Sequence, residues 1–257
     1  AAILSDGAVR RYLEQHSAGS GKTNSIAWTA HFLAELHDAS HQKIFDSILV
    51  VSDRNVIDTQ LQEAVFDFQR TTGVVETITS KEGSKSSKLA EALSGDKKIV
   101  VCTIQTFPRA IEAVRQLSAT QGKRFAVIAD EAHSSQSGEA AKKLKAVLTT
   151  EEAAELADGG EVSAEDILAA QMTARAEDAG ITFVAFTATP KTKTMELFGT
   201  RPDPSRKPAP DNVPAPFHVY SMRQAIEEKF ILDVLKNYTP YRLAFKLAHD
   251  GRDLDDK

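Results

Sequence analysis

The sequence predicts an α/β fold, a mostly parallel sheet with helices on both faces, and three observations carry that prediction. Short β-branched apolar runs recur along the chain and read as buried strands. Segments whose apolar residues fall at helical spacing alternate with those runs. The length of 257 residues, 42% of them hydrophobic, suits one large domain, or one domain with appendages.

In chain order, Arg11-Tyr12-Leu13 leads into a Gly/Ser-rich turn, and Thr23 to His37 then carries Ile26, Ala30, Leu33 and Leu36 on one face. Ser47 to Val51 has the pattern of a buried strand. Ile57, Leu61, Ala64, Val65 and Phe68 follow at helical spacing. Lys98 to Cys102 forms another strand, Ala110, Ile111, Val114 and Leu117 mark a helix, and Phe125 to Ala129 and Phe183 to Phe186 bring the compact strands to at least four. Two regions break the alternation. Ser134 to Gly180 is Ala- and Glu-rich and reads as an inserted pair of helices around Gly159-Gly160. Pro202 to Pro216 holds six of the nine prolines and reads as a surface loop or linker. Beyond it, Phe217 to Tyr220 is expected as a short strand and Ala225 to Lys236 as a helix leaving the domain. The expected division is therefore a domain over 1–200 with the insertion at about 134–180, a Pro-rich loop over 201–216, and a strand and helix within 217–257. The start at Ala1-Ala2-Ile3-Leu4 and the charged end, Asp253 to Lys257, suggest a piece of a longer protein. No internal repeat is evident.

No apolar run approaches the ~20 residues a membrane helix needs, and no charged segment followed by an apolar one opens the chain as a secretory signal would. No membrane partner is expected. The single cysteine, Cys102, lies in an apolar run, so it reads as a buried strand residue, and one thiol fits a reducing cytoplasm. The net charge is −5, but Glu151 to Asp166 holds seven acidic and no basic residues; removing that stretch shifts the balance from −5 to +2. Net charge therefore neither supports nor excludes a nucleic-acid partner.

The strongest local signal is Ser17-Ala18-Gly19-Ser20-Gly21-Lys22-Thr23, set between a short strand and an amphipathic helix. Phosphate binding needs glycines so that backbone N–H groups can close around oxygens, a lysine to reach the β- and γ-phosphates, and a hydroxyl for Mg²⁺. Gly19, Ser20, Gly21, Lys22 and Thr23 form that loop, with Thr23 as the metal-ligating hydroxyl; His16 stands where the full pattern has its first glycine. The second element is Val127-Ile128-Ala129-Asp130-Glu131-Ala132-His133, which delivers two adjacent carboxylates to the carboxyl end of a strand, where α/β sites form. Asp130 would hold Mg²⁺ through water, and Glu131 would orient and deprotonate the attacking water. His133 could accept a hydrogen bond from a Gln or Thr on a neighbouring strand end and so sense the γ-phosphate. No second His or Cys stands near it at ligand spacing. The cofactors these residues imply are ATP and Mg²⁺.

A third element, Phe186-Thr187-Ala188-Thr189-Pro190, follows another buried strand. Together the three resemble motifs I, II and III of superfamily 2 helicases of the DEAH-box type, in order and spacing, and the resemblance covers most of the chain. It implies a RecA-like P-loop NTPase domain. Val51 to Gln60 looks like motif Ia, and Val100 to Phe107 looks like the DNA-contacting motif after it. The run Gln15 to Thr23 is similar to the loop of restriction motor subunits, in which His replaces the first glycine. With Asp130 to Gln136, Thr187 to Lys191 and Phe217 to Met222, it resembles most nearly the R (HsdR-type) subunit of type I restriction enzymes. That resemblance implies an ATP-driven translocase on double-stranded DNA, working with modification and specificity subunits, with nuclease, adenine-recognising glutamine motif and second RecA-like domain outside these residues. It also implies that Arg54, Gln105 and Thr106 face the sugar-phosphate track, in contacts that ignore base sequence. Thr187 and Thr189 would relay nucleotide state to that track. The acidic insertion would lie away from it, because its carboxylates repel DNA. Two other readings stay open: a strand-separating DEAH-type helicase acting on DNA or RNA, and a non-hydrolysing, nucleotide-dependent scaffold.

Overall fold

The computed structural model describes residues 11–52, 63–65, 75–78, 91–95, 97–103, 106–130, 180–190, 192–203, 205–207, 209–233 and 236. Among the described residues seven strands form one sheet: β1 (Arg11–His16), β2 (Ser47–Ser52), β3 (Val75–Ile78), β4 (Ile99–Thr103), β5 (Phe125–Asp130), β6 (Ile181–Thr187) and β7 (His218–Tyr220). Their spatial order is β3-β4-β2-β5-β6-β1-β7, and every pairing is parallel. All carboxyl ends therefore emerge on one edge of the sheet, where α/β proteins bind ligands.

The apolar runs form strands here because both of their faces are covered. Every residue of β2, β4, β5 and β6 is buried, so no position had to be polar. The two-residue period still sorts side chains between two cores. Leu49, Val51, Val100, Cys102, Val127 and Phe183 pack with Phe107, Ala110, Ile111 and Val114 of helix α2 (Phe107–Gln121). Ile48, Val50, Val101, Ile128, Val184 and Phe186 pack on the opposite face with Ile26, Ala27, Ala30 and Leu33 of helix α1 (Lys22–Ala34). Helices thus cover both faces, and Cys102 is buried and unbridged.

Helix boundaries follow from local chemistry. α1 stops at Ala34, short of the expected His37, because the chain turns there: Ile44 N–H bonds back to Leu36 O and residues 37 and 43 form an antiparallel bridge. Leu36 nonetheless packs on the core, as its spacing required. α2 ends at Gly122, whose φ of 66° is the left-handed conformation that favours glycine after a helix. Residues 63–65 are helical with Val65 buried; the rest of the helix expected over Ile57 to Phe68 lies outside the described residues. So does the acidic insertion up to residue 179. Strand β3 carries no apolar run to mark it in the sequence.

The proline-rich stretch is irregular but pinned. Helix α3 (Thr192–Phe198) precedes it, and residues 200 and 215 pair as its neck. Inside the loop Asn212 is fully buried: its Nδ2 donates to the carbonyls of Asp203, Arg206 and Lys207 at 3.0, 3.2 and 3.1 Å, and its Oδ1 accepts from Asp203 N–H at 2.9 Å. One amide side chain replaces the hydrogen bonds that prolines cannot donate. After β7, helix α4 covers only Met222–Glu227, not the expected Ala225 to Lys236. Lys229 then adopts a φ of 65°, and Phe230 and Ile231 return their N–H groups to Ala225 O. Phe230 and Ile231 are thereby folded back against α4. Among the described residues no helix is long and apolar enough to cross a membrane.

Candidate nucleotide site

β1 ends at His16, and the next five residues form the loop that enters α1. Gly19 and Gly21 both have left-handed φ, 72° and 88°, which costs other residues ~1–2 kcal/mol. A Cβ on Gly21 would meet nothing within 4 Å, so backbone conformation rather than space selects glycine there. Gly21 is also the N-cap of α1, and no side chain caps the helix. Its first N–H groups and the positive end of its dipole are left to an anion.

Asp130 ends β5 and Thr187 ends β6, the strand lying between β5 and β1. Phe186 is level with Asp130 and Thr187 with Gln15, so three adjacent strand ends present the loop, the carboxylate and the threonine together. Lys22 Nζ lies 3.0 Å from Asp130 Oδ1, with side chains only 18% and 9% exposed. That oxygen is buried and accepts no hydrogen bond, so its contact with the ammonium is an ion pair at an angle unsuited to one. A buried carboxylate oxygen left in this way suits a further cationic or water partner. The residues therefore fit a nucleotide with its Mg²⁺. Among the described residues no group of three or more His, Cys, Asp or Glu side chains could hold a metal by itself; Thr23 and Asp130 would share the ion with phosphate oxygens.

His16 has a role that its mismatch with the glycine pattern did not reveal. Its Nε2 is 3.0 Å from Ser25 Oγ on α1, and its Nδ1 is 3.1 Å from Ser20 Oγ and 3.4 Å from Ser17 O. Ser20 spends its only hydroxyl proton on Ser17 O at 2.6 Å. With the Ser20 proton so used, Nδ1 donates to Ser20 Oγ, and Nε2 stands within hydrogen-bond distance of the Ser25 hydroxyl. The imidazole ties the loop to the first turns of α1. Burial lowers its pKa, the bond to Ser17 O opposes this, and the Lys22 and His218 charges lower it further.

The β7 side of the loop is built from residues far along the chain. Ser17 N–H donates to Tyr220 O at 2.9 Å, and the His16 and Tyr220 rings stand 4.9 Å apart. The Tyr220 hydroxyl donates to Glu228 Oε2 at 2.6 Å, and Gln224 Nε2 donates to Glu228 Oε1 at 2.9 Å. The hydrogen bond to Glu228 pushes the Tyr220 pKa up to about 12, and the same bond lowers that of Glu228. Below them Glu14 pairs with His218 at 3.3 Å; burial raises the Glu14 pKa and His218 opposes the rise.

Thr187 is buried, with its Oγ1 accepting from Thr189 N–H at 3.2 Å, and Thr189 is exposed just beyond. Thr106 is buried as well: its hydroxyl lies 3.2 Å from that of Thr103, so the side chain expected on the DNA track is turned inward in this structure. Glu131, His133, Arg54 and Gln105 lie outside the described residues.

The family profile described as SWI2/SNF2 ATPase matches residues 13–256. Comparison with curated proteins returns no match. Among solved structures, the chain is similar to the Hef helicase domain of Pyrococcus furiosus, at 15% identity over 76% of this chain and 34% of that one, with a TM-score of 0.40. It is also similar to a nuclease-deletion mutant of the Type ISP restriction-modification enzyme LlaGI in complex with a DNA substrate mimic, at 17% identity over 87% of this chain and 16% of that one, with a TM-score of 0.47. The chain thus spans about a third and about a sixth of the two.

Proposed function

The chain belongs to the SWI2/SNF2 ATPase family, and on that footing we propose that it is the ATP-hydrolysing half of a double-stranded DNA translocase in a type I restriction-modification complex. The observation that carries the ATPase reading is the Lys22–Asp130 pair at 3.0 Å beside an uncapped helix N-terminus. That geometry supports triphosphate in the loop with its β- and γ-oxygens at Lys22. Thr23 and Asp130 would hold Mg²⁺, which supplies charge neutralisation of the triphosphate when bound. Glu131 follows Asp130 directly and would orient the attacking water and take its proton. Thr187 and Thr189, one strand away, would couple the state of the nucleotide to DNA held by Arg54 and Gln105.

The restriction-complex reading is supported by the sequence motifs, above all by His16 in place of glycine, which the structure explains as a loop tether. On this reading modification and specificity subunits choose the site, this chain helps to move duplex DNA, and a nuclease elsewhere cuts it.

Calorimetric titration with ATP–Mg²⁺ tests the first step. Wild type is expected to bind, and Lys22→Ala to bind on the order of 100-fold more weakly, through loss of charge-assisted bonds to phosphate. A Lys22→Ala chain that binds like wild type would sink the assignment. Triplex displacement from intact duplex by the assembled complex tests translocation; strand separation without it would favour the helicase reading. DNA transport unchanged by Lys22→Ala and Glu131→Gln would favour a scaffold.

A further inference from the structure

Beside the phosphate loop, on its β7 side, lies a cleft of about 400 Å³, within the size range of small-molecule sites. Ser20 and Gly21 line it, so it is continuous with the phosphate cradle. Its aromatic walls are Trp28 of α1, Tyr220 of β7 and Phe230. Trp28 is 47% and Phe230 63% exposed, so ring surface remains that the core does not use. Tyr220 and Phe230 meet edge to face with centroids 6.4 Å apart. Glu228 supplies a carboxylate at the same cleft, steadied by Tyr220 and Gln224 yet with acceptor capacity to spare.

These groups are held in place rather than merely nearby. Ser17 N–H bonds to Tyr220 O, and the left-handed turn at Lys229 with the two bonds to Ala225 O fixes the backbone at Phe230. A Cβ on Gly19 would stand 3.6 Å from Ile231 Cγ2, so the segment after α4 lies directly against the phosphate loop.

We propose that this cleft is the base end of the nucleotide site: it takes an aromatic nucleobase bearing an exocyclic amino group, stacked among Tyr220, Phe230 and Trp28, with Glu228 accepting from the amino group. The proposal rests on the ATP-binding reading above and deepens it. Base recognition is then built into the segment after β7, independently of the upstream glutamine motif that the family resemblance implies. Stacking on aromatic side chains tolerates any base, whereas the carboxylate selects for a donor edge.

Trp28 is the only tryptophan of the chain, so its fluorescence reports on this cleft alone. The test titrates the 257-residue chain with Mg²⁺–ATP and with Mg²⁺–tripolyphosphate, following both heat and Trp28 emission. Both ligands are expected to bind, ATP the more tightly, and only ATP is expected to change Trp28 emission strongly. Phe230→Ala should weaken ATP about tenfold and leave tripolyphosphate unchanged, which also shows that the variant is folded. Glu228→Gln should weaken ATP less. A Phe230→Ala chain that holds ATP as tightly as wild type, or equal wild-type affinities for the two ligands, would overturn the cleft assignment and leave the phosphate loop standing. Binding of neither ligand would overturn the proposal together with the reading on which it rests.

Discussion

On its β5 flank the phosphate loop faces a nearly buried ion pair, Lys22 with Asp130, whereas on its β7 flank it faces the partly exposed groups Tyr220, Glu228 and Phe230. On the first flank water is largely excluded, so charge interacts strongly and a misplaced or unpaired group is costly. On the second, hydrogen bonds compete with solvent and add little to the fold. On the proposed reading the difference divides the work. The buried side can hold the reacting phosphates and metal rigidly, and the open side can admit and release a base.

Asp130→Asn should break the comparison hardest. It keeps the shape of the β5 flank and removes its charge. ATP affinity measured with Mg²⁺ is expected to fall about 10- to 100-fold, in the range of metal-site mutations, while affinity measured in EDTA changes little. If both fall together, Asp130 is not the metal's partner.

His16 ties the loop to α1 and stands against the Tyr220 ring, so His16→Ala should loosen the loop that both flanks share. Loss of its bonds to Ser20 and Ser25 removes ~1–3 kcal/mol of stability, read by chemical denaturation, with weaker binding of tripolyphosphate and ATP alike. Its pH dependence has a definite sign. The folded pKa lies below the ordinary 6.5, so the unfolded chain binds the proton more readily. The stability this provides is fully present above pH 6.5 and is lost as pH falls through the folded pKa. His16→Ala should flatten that part of the stability profile; an unchanged slope would assign it to another group.

The smallest effect is expected on the open flank. Glu228→Gln should let Tyr220 titrate closer to its ordinary 10.0 instead of about 12, as ultraviolet absorbance would show, with little change in melting temperature. A large loss of stability would mean that this flank carries the fold after all.

The strands were legible because burial on both faces leaves no alternative to an apolar run, as in Ser47–Ser52 and Phe125–Asp130. β3 was not, because Val75-Glu76-Thr77-Ile78 at the sheet's edge needs only one covered face and carries no such run. Helix ends depart from the apolar period where a turn overrides it: at Ala34, and at Glu227, where Lys229 accepts a left-handed φ without being glycine. Lys229→Gly would relieve that strain and should leave stability unchanged or raise it slightly.

The sequence by itself determined which residues stand at the carboxyl edge of the sheet. A glycine-rich loop before a helix, an Asp at the end of an apolar strand and Thr-Ala-Thr after another are local patterns, and local backbone rules suffice to place each on its element. Only the tertiary structure decided how those elements meet. Parallel pairing of β6 with β5 and of β1 with both β6 and β7 sets Lys22 against a residue 108 positions away and Ser17 against Tyr220. It also turns His16 from an apparent departure into the tether of the loop. Such contacts depend on strand order and register, which no stretch of neighbouring residues encodes, because they arise from the packing of distant elements around shared cores.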